Sequence, residues 1–391
     1  MKRIICLIVI ICSITQPPVL FGQDRQLPLD SIIKKLGEKF ITDKQAVGLS
    51  IGVYTNDNAY FYNFGSIQKG KMILPSQNTV YEIGSITKTF VSLVLANAVL
   101  ERKVNVDDDI RKYLKESYPN LEYDGVPIKL IHLANTTSLL PDWLPELPTE
   151  MKNLSADSAL LLKINYYNKL TRKDFFKALH SVKLDTIPGT KRYHSNAAAQ
   201  LLAYILEDIY KMPMEKLIKK YITAPYKMNG TSFINSKNME LTATGYTTSG
   251  NEARYEFVMP YFKNAGGLGS TTSNLVNYIK LYLDTSNQAA SFCLKKTVDI
   301  DASSGKITKM RPDNTATPDV YSVALSWFKY QPSVSSSQIW ADGGTTGFNS
   351  YLVIYPLLNS GVVVLANKSD ENIFRALPGI AYEISKVIEK K

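Results

Sequence analysis

The chain has 391 residues, 45% of them hydrophobic and 20% charged, with a formal net charge of +10. That length is enough for one large domain or two smaller ones with a sizeable core. Its lysines are scattered, with short clusters at Lys69-Gly70-Lys71 and Lys219-Lys220, and no basic run interleaved with aromatics exists, which argues against a nucleic-acid partner.

Lys2 and Arg3 precede an apolar run at 4–14, followed by Pro17-Pro18 and Gly22. This reads as a secretory signal peptide cut near Gly22, so the mature protein is expected to be exported, periplasmic or secreted. Cys6 and Cys12 fall inside that leader, which leaves Cys293 alone and excludes an intrachain disulfide in the mature chain. An amphipathic helix is expected over 30–40. Two strands at 48–54 and 59–64 are joined by the turn Thr55-Asn56-Asp57-Asn58. A long apolar helix follows to Leu100. The acidic run Asp107-Asp108-Asp109 suits the first turn of a helix better than a metal site, since no histidine is nearby. Residues 116–224 read as mainly helical, 264–269 as a tight turn and 270–283 as a helix. The chain then returns to strands at 320–330, 335–340, 350–355 and 361–367, the last two around a hairpin at 356–360, and closes with a helix at 374–390. Strands at both ends and helices between them predict an α+β fold: one sheet flanked by helices, with a helical block inserted at about 105–225.

The stretch Tyr81-Glu82-Ile83-Gly84-Ser85-Ile86-Thr87-Lys88-Thr89-Phe90 carries the chemistry. A serine and a lysine at i and i+3 share one helix face, so hydroxyl and amine can meet. A serine needs an adjacent base to become a nucleophile, and a desolvated lysine can serve as one. Five Ser-x-x-Lys matches occur, beginning at Ser31, Ser66, Ser85, Ser303 and Ser326, and only Ser85 opens an apolar helix. The plainer alternative makes Ser85 a helix start and Lys88 a surface lysine.

Further residues resemble the serine β-lactamase-related hydrolases, of the class C and penicillin-binding-protein type, with their esterase and D-aminopeptidase relatives. Beside Ser85-Ile86-Thr87-Lys88 these are His132-Leu133-Ala134-Asn135-Thr136-Thr137-Ser138 before Leu140-Pro141, then Pro188-Gly189-Thr190 and Ser195-Asn196. Gly266-Gly267-Leu268-Gly269-Ser270-Thr271 and Gly343-Gly344-Thr345-Thr346-Gly347-Phe348 complete the set. The likeness spans about 30–385. It implies an antiparallel sheet packed between helices, an active site at the seam between sheet and helical part, and no cofactor or metal.

Two motifs depart from the family pattern. The second-motif tyrosine position holds His194, with Tyr193 one residue early as a substitute. His194 titrates near neutrality when unperturbed and can act as acid or base. Asn196 would bond Lys88 or the substrate amide, and can also cap the helix after it, both roles being compatible. In the third motif the Lys or His that meets a substrate carboxylate is replaced by Ala341, which weakens β-lactam or D-alanyl-D-alanine recognition. Asp342 is expected to be strand-exposed. Gly343 and Gly344 let the backbone approach a substrate, and the N–H groups of Gly344 and Ser85 would form an oxyanion hole. The leading reading is an exported serine hydrolase that cleaves an ester or amide of a small molecule or peptide through an acyl-enzyme on Ser85, in association with the cell envelope. Its alternative is a binding protein of the same fold with impaired chemistry.

Overall fold

The computed structural model describes residues 23–44, 46–148, 156–234, 242–253, 260–301, 307–310, 320–333 and 336–390. The expected leader at 1–22, with Cys6 and Cys12, lies outside them, as does Ser303. Helix α1 (Gln23–Lys44) extends beyond the expected 30–40 and buries Leu29, Ile33 and Phe40. Strands β1 (Gly48–Thr55) and β2 (Asn58–Gly65) pair through a two-residue turn in which Asn56 and Asp57 take φ of 50° and 61°. Asn and Asp tolerate that left-handed geometry, which matches the twist of the flanking strands.

Helix α2 (Thr87–Leu100) is buried on nearly all sides, as its apolar sequence requires. The helical part follows, with α3 (Ala156–Tyr167), α4 (Arg172–Leu179) and α5 (Asn196–Tyr210). Asp109 caps a short 3-10 turn at Ile110–Tyr113 and pairs with Arg111, so the acidic run serves a helix start. Helix α6 (Thr272–Leu283) leads to the C-terminal strands β3 (Val298–Ile300), β4 (Ile307–Met310), β5 (Val320–Val323), β6 (Phe328–Ser333), β7 (Ser336–Gly344), β8 (Asn349–Tyr355) and β9 (Ser360–Ala366). The strand expected over 320–330 is in fact two, because the chain turns between them with Ser326 at φ 61° and its N–H on Ala134 O. The closing helix α7 (Glu371–Glu389) starts three residues before its expected position, capped by Asp370.

Nine strands form one sheet in the order β4-β3-β5-β6-β7-β8-β9-β1-β2. Its neighbours run antiparallel, and the two chain ends meet where Leu49 faces Ala366. Period-2 alternation sends β1 and β9 side chains to two cores. On one face Ile51, Val53, Val362 and Val364 pack under α1 and α7, whose Ile373, Leu377, Ile380 and Ile384 recur at helical spacing. On the other face Val363 and Leu365 join α2, α5 and α6 in the larger core. Each such side chain fully withdrawn from water contributes about 2 kcal/mol. Cys293 is buried in the larger core, and burial pushes its thiol up to about 12, which fits a packed rather than a reactive cysteine. No helix among the described residues is long and apolar enough to cross a membrane.

The sheet creates the cleft by a length mismatch. Strand β6 begins at Phe328, opposite Trp340, so the last four residues of β7 pair with β8 alone. Their other edge is open toward the turn that carries Ser85.

Candidate active site

Ser85 sits in a 3-10 turn (Gly84–Ile86) that runs directly into α2. Gly84 has φ 49°, and a Cβ there would come 2.7 Å from Gly344 N. A Cβ on Gly343 would stand 2.1 Å from Ile83 O and 2.7 Å from Ser85 N. Only glycines allow this turn and the end of β7 to touch, and the contact sets the backbone around Ser85 against that of Gly343 and Gly344. Ser350 Oγ ties the two segments by donating to Ile83 O at 2.9 Å.

Lys88 Nζ lies 2.7 Å from Ser85 Oγ and also reaches Asn196 Oδ1 and Ala265 O, each at 2.8 Å. Lys88 is buried, whereas Ser85 retains access to the cleft. Burial lowers the ammonium pKa to about 8, against the opposing pull of Asp142 and Asp342. The surface-lysine alternative is therefore set aside. The other described Ser-x-x-Lys pairs do not form such a unit. Ser66 Oγ donates to backbone carbonyls of its own loop, while Ser326 Oγ meets Ser92 and Lys329 Nζ donates to Leu294 O.

Ser195, not Asn196, caps α5: its Oγ accepts from Ala198 N at 2.9 Å. Asn196 is thereby free to bridge. Its Oδ1 accepts from Lys88, and its Nδ2 donates to Asp142 Oδ1 at 2.9 Å. The same carboxylate oxygen lies 2.9 Å from His194 Nδ1. Burial pushes Asp142 up, but the His194 hydrogen bond and charge, the Asn196 N–H and Lys88 together bring it below the ordinary carboxylate value. An ionised Asp142 accepts, so Nδ1 of His194 carries the hydrogen and Nε2 is the ring nitrogen outside that bond.

The cleft holds about 920 Å³ and is lined by Ser85, Lys88, His194, Asn196, Gly343 and Gly344, all expected from the sequence. Tyr193 is the exception. Successive side chains of an extended segment point opposite ways, and this one is 47% exposed away from the cleft while its N–H bonds Thr136 O. Ala341 faces the cleft with only a methyl group. Asp342, expected to be strand-exposed, lines the cleft beside it. Burial raises its pKa, opposed by the charges of Arg192, His194 and Lys88. Glu82, also at the cleft, is pushed by burial to about 7, against a hydrogen bond from Thr345.

Sequence reasoning missed Asp142, Arg192 and the pair Trp143 and Lys163, whose Nζ lies 3.4 Å from the indole centroid. Asp142 follows Leu140-Pro141 and Arg192 precedes Tyr193-His194, so adjacency to recognised segments was the available signal. Among the described residues no group of three or more His, Cys, Asp or Glu could hold a metal ion.

A family model described as Beta-lactamase matches residues 29–381. The chain belongs to the beta-lactamase family. Family members similar to it include the D-alanyl-D-alanine-carboxypeptidase/endopeptidase AmpH of Escherichia coli K12, 24% identical, with 96% of this chain and 94% of that protein covered. A beta-lactamase of Yersinia enterocolitica is 25% identical, with 89% of each chain covered. Among solved structures, a beta-lactamase/D-alanine carboxypeptidase from Yersinia pestis, complexed with citrate, superposes with a TM-score of 0.72 at 23% identity. It covers 93% of this chain and 99% of that one. A class C beta-lactamase gives 0.73 at 19% identity, covering 93% and 97%. Family members of this kind are hydrolases that act through a serine, and so is this protein. The expected α+β architecture agrees with theirs.

Proposed function

We propose that the protein is an exported hydrolase that cleaves an ester or amide of a small molecule or peptide through an acyl-enzyme on Ser85. The observation that carries this reading is the 2.7 Å contact between Ser85 Oγ and Lys88 Nζ at the floor of an open cleft. Neutral Lys88 takes the serine proton as Oγ attacks the carbonyl. The N–H groups of Ser85 and Gly344 stabilise the oxyanion, each such donor being worth about 3 kcal/mol of barrier. His194, oriented by Asp142 at Nδ1, relays through Nε2 the proton that Lys88 took from the serine to the leaving group. Water then attacks the acyl-enzyme, and the same groups run in reverse to release the acid and restore Ser85. Export rests on the leader pattern at 1–22.

The test is intact-mass and peptide mass spectrometry after incubation with a fluorophosphonate and, separately, with penicillin. Phosphonylation of the Ser85 peptide, absent in Ser85→Ala, is expected. A folded wild-type protein that stays unlabelled overturns the hydrolase. A stable or transient penicilloyl adduct on Ser85 would extend the substrate range to β-lactams, which Ala341 disfavours.

A further inference from the structure

The loop that leaves β2 presents three consecutive apolar side chains to water. Met72 is fully exposed, Leu74 63% exposed and Ile73 46%. Single exposed apolar residues are ordinary, but a contiguous run of them marks an interaction site. The loop is built rather than slack. Ser66 Oγ sits at its centre, accepts from the N–H groups of Gln68 and Ile73, and donates to Lys71 O. Ile67 N donates to Ile73 O at 2.9 Å. Asn367 Nδ2 donates to Ser66 O and Ile67 O, and Thr244 N donates to Ile67 O, so the base of the loop is tied to the body of the protein. A fixed backbone therefore displays the apolar tip.

The charge around the tip has one sign. Lys69 and Lys71 adjoin it, and residues 58–81 contain no Asp or Glu. Met72 and Leu74, with both lysines and with Ala46 and Val47, border a shallow groove of about 570 Å³. Apolar side chains beside ammonium groups suit the interface of an anionic bilayer, where the first enter the acyl boundary and the second meet phosphates. A second copy of the chain fits poorly, because a two-fold contact sets the same lysines against each other. Three side chains are also far fewer than the roughly 20 residues a side of a stable protein interface. A bilayer asks for no such area or shape. We propose that the loop at 66–74 docks this protein on an anionic phospholipid surface. The inference does not depend on the chemistry at Ser85, but it sets where that chemistry occurs. Lys69 N donates to Tyr246 Oη at 2.7 Å, and the next two residues, Thr247 and Thr248, line the cleft. Docking holds that wall of the cleft near the lipid headgroups.

The experiment is sedimentation with vesicles of phosphatidylglycerol and phosphatidylcholine in equal parts, and with phosphatidylcholine alone, at low salt. The protein is taken as its host processes it, so that wild type and variants share one N-terminus. Each lysine near an anionic surface is worth about fivefold, so the wild type should partition about 25-fold better onto the anionic vesicles and lose that preference in high salt. Lys69→Gln with Lys71→Gln should bring the ratio close to one. Met72→Ser with Leu74→Ser should lower partition onto anionic vesicles by tenfold or more. Both side chains lie in water in the free protein, so this variant should keep the wild-type melting temperature and the wild-type rate of fluorophosphonate labelling in solution. Equal partition of the wild type onto both vesicles, or binding that survives both double variants, overturns the docking loop. So does a dimer in analytical ultracentrifugation that Met72→Ser with Leu74→Ser abolishes while no vesicle is bound, since the tip then meets a second copy. Failure of labelling at Ser85 in the wild type would sink the hydrolase and leave this result standing.

Discussion

Asp142 Oδ1 stands 2.9 Å from His194 Nδ1, and this contact ties the histidine into the hydrogen-bond network of Ser85. The same oxygen accepts from Asn196 Nδ2, whose Oδ1 accepts from Lys88, whose Nζ meets Ser85 Oγ. A continuous chain of hydrogen bonds therefore runs from the serine to the imidazole. Such chains strengthen when every member is satisfied and weaken together when one is removed.

The first prediction concerns that chain. His194→Ala should lower kcat by about 10²- to 10⁴-fold, the usual contribution of a positioned acid or base. Asp142→Asn should lower it less and alter the pH profile, because an amide can donate to Nδ1 and turn the ring's hydrogen toward the cleft. Steady-state kinetics of both variants across pH 5–10 decide this. Unchanged profiles would remove His194 and Asp142 from the mechanism.

The second concerns Lys88. Its folded pKa of about 8 predicts that kcat/KM rises with pH and levels off above that value, as the neutral amine becomes available. The stability consequence has a definite sign. The folded pKa is below the unfolded value of about 10.4, so the unfolded chain binds more protons between the two. Stability supplied by this site therefore rises from pH 8 to 10.4 and is lowest below 8. Lys88→Met should abolish the rate and remove that part of the stability slope, read by denaturant titration at pH 8 and 10.

The third tests the contact behind the proposed oxyanion hole. A Cβ on Gly343 meets Ile83 O at 2.1 Å, and backbone cannot give way as a side chain can. Gly343→Ala should destabilise the fold by about 1–3 kcal/mol and push the end of β7 away from Ser85. Thermal melting and fluorophosphonate labelling rate are the two readouts. Full labelling at the wild-type melting temperature would contradict the close approach.

The fourth concerns His132, which is buried away from the cleft and accepts at Nδ1 from Lys129 N. Burial, with the charge of Lys129, lowers its pKa to about 4. The unfolded chain binds the extra proton between about 6.5 and 4, so stability is full above 6.5 and is lost as pH falls toward 4. The loss from this residue is at most about 3 kcal/mol. Denaturant midpoints of the wild type and His132→Gln from pH 7 to 4 should diverge at neutral pH and converge toward acid.

Much of this protein could be read from nearest neighbours along the chain. The β1–β2 hairpin follows from Asn56-Asp57 between alternating strands. Burial of α2 follows from its unbroken apolar surface, and the meeting of Ser85 with Lys88 from one turn of separation. Local geometry determines each of these. His194 rather than Tyr193 lines the cleft, because an extended segment alternates its side chains. What surrounds the serine was decided by packing. Asp142 reaches Asn196 across 54 residues of chain. Arg192 gains its place from Phe328, far along the sequence on a strand whose start no motif marked, since Ser326 breaks an apolar run that looked continuous. Asp342 faces the cleft only because β6 begins opposite Trp340 and leaves the end of β7 open. Spacing along a chain specifies contacts within a turn or a hairpin, whereas the charge balance of a cleft depends on which distant segments the two cores bring to one wall.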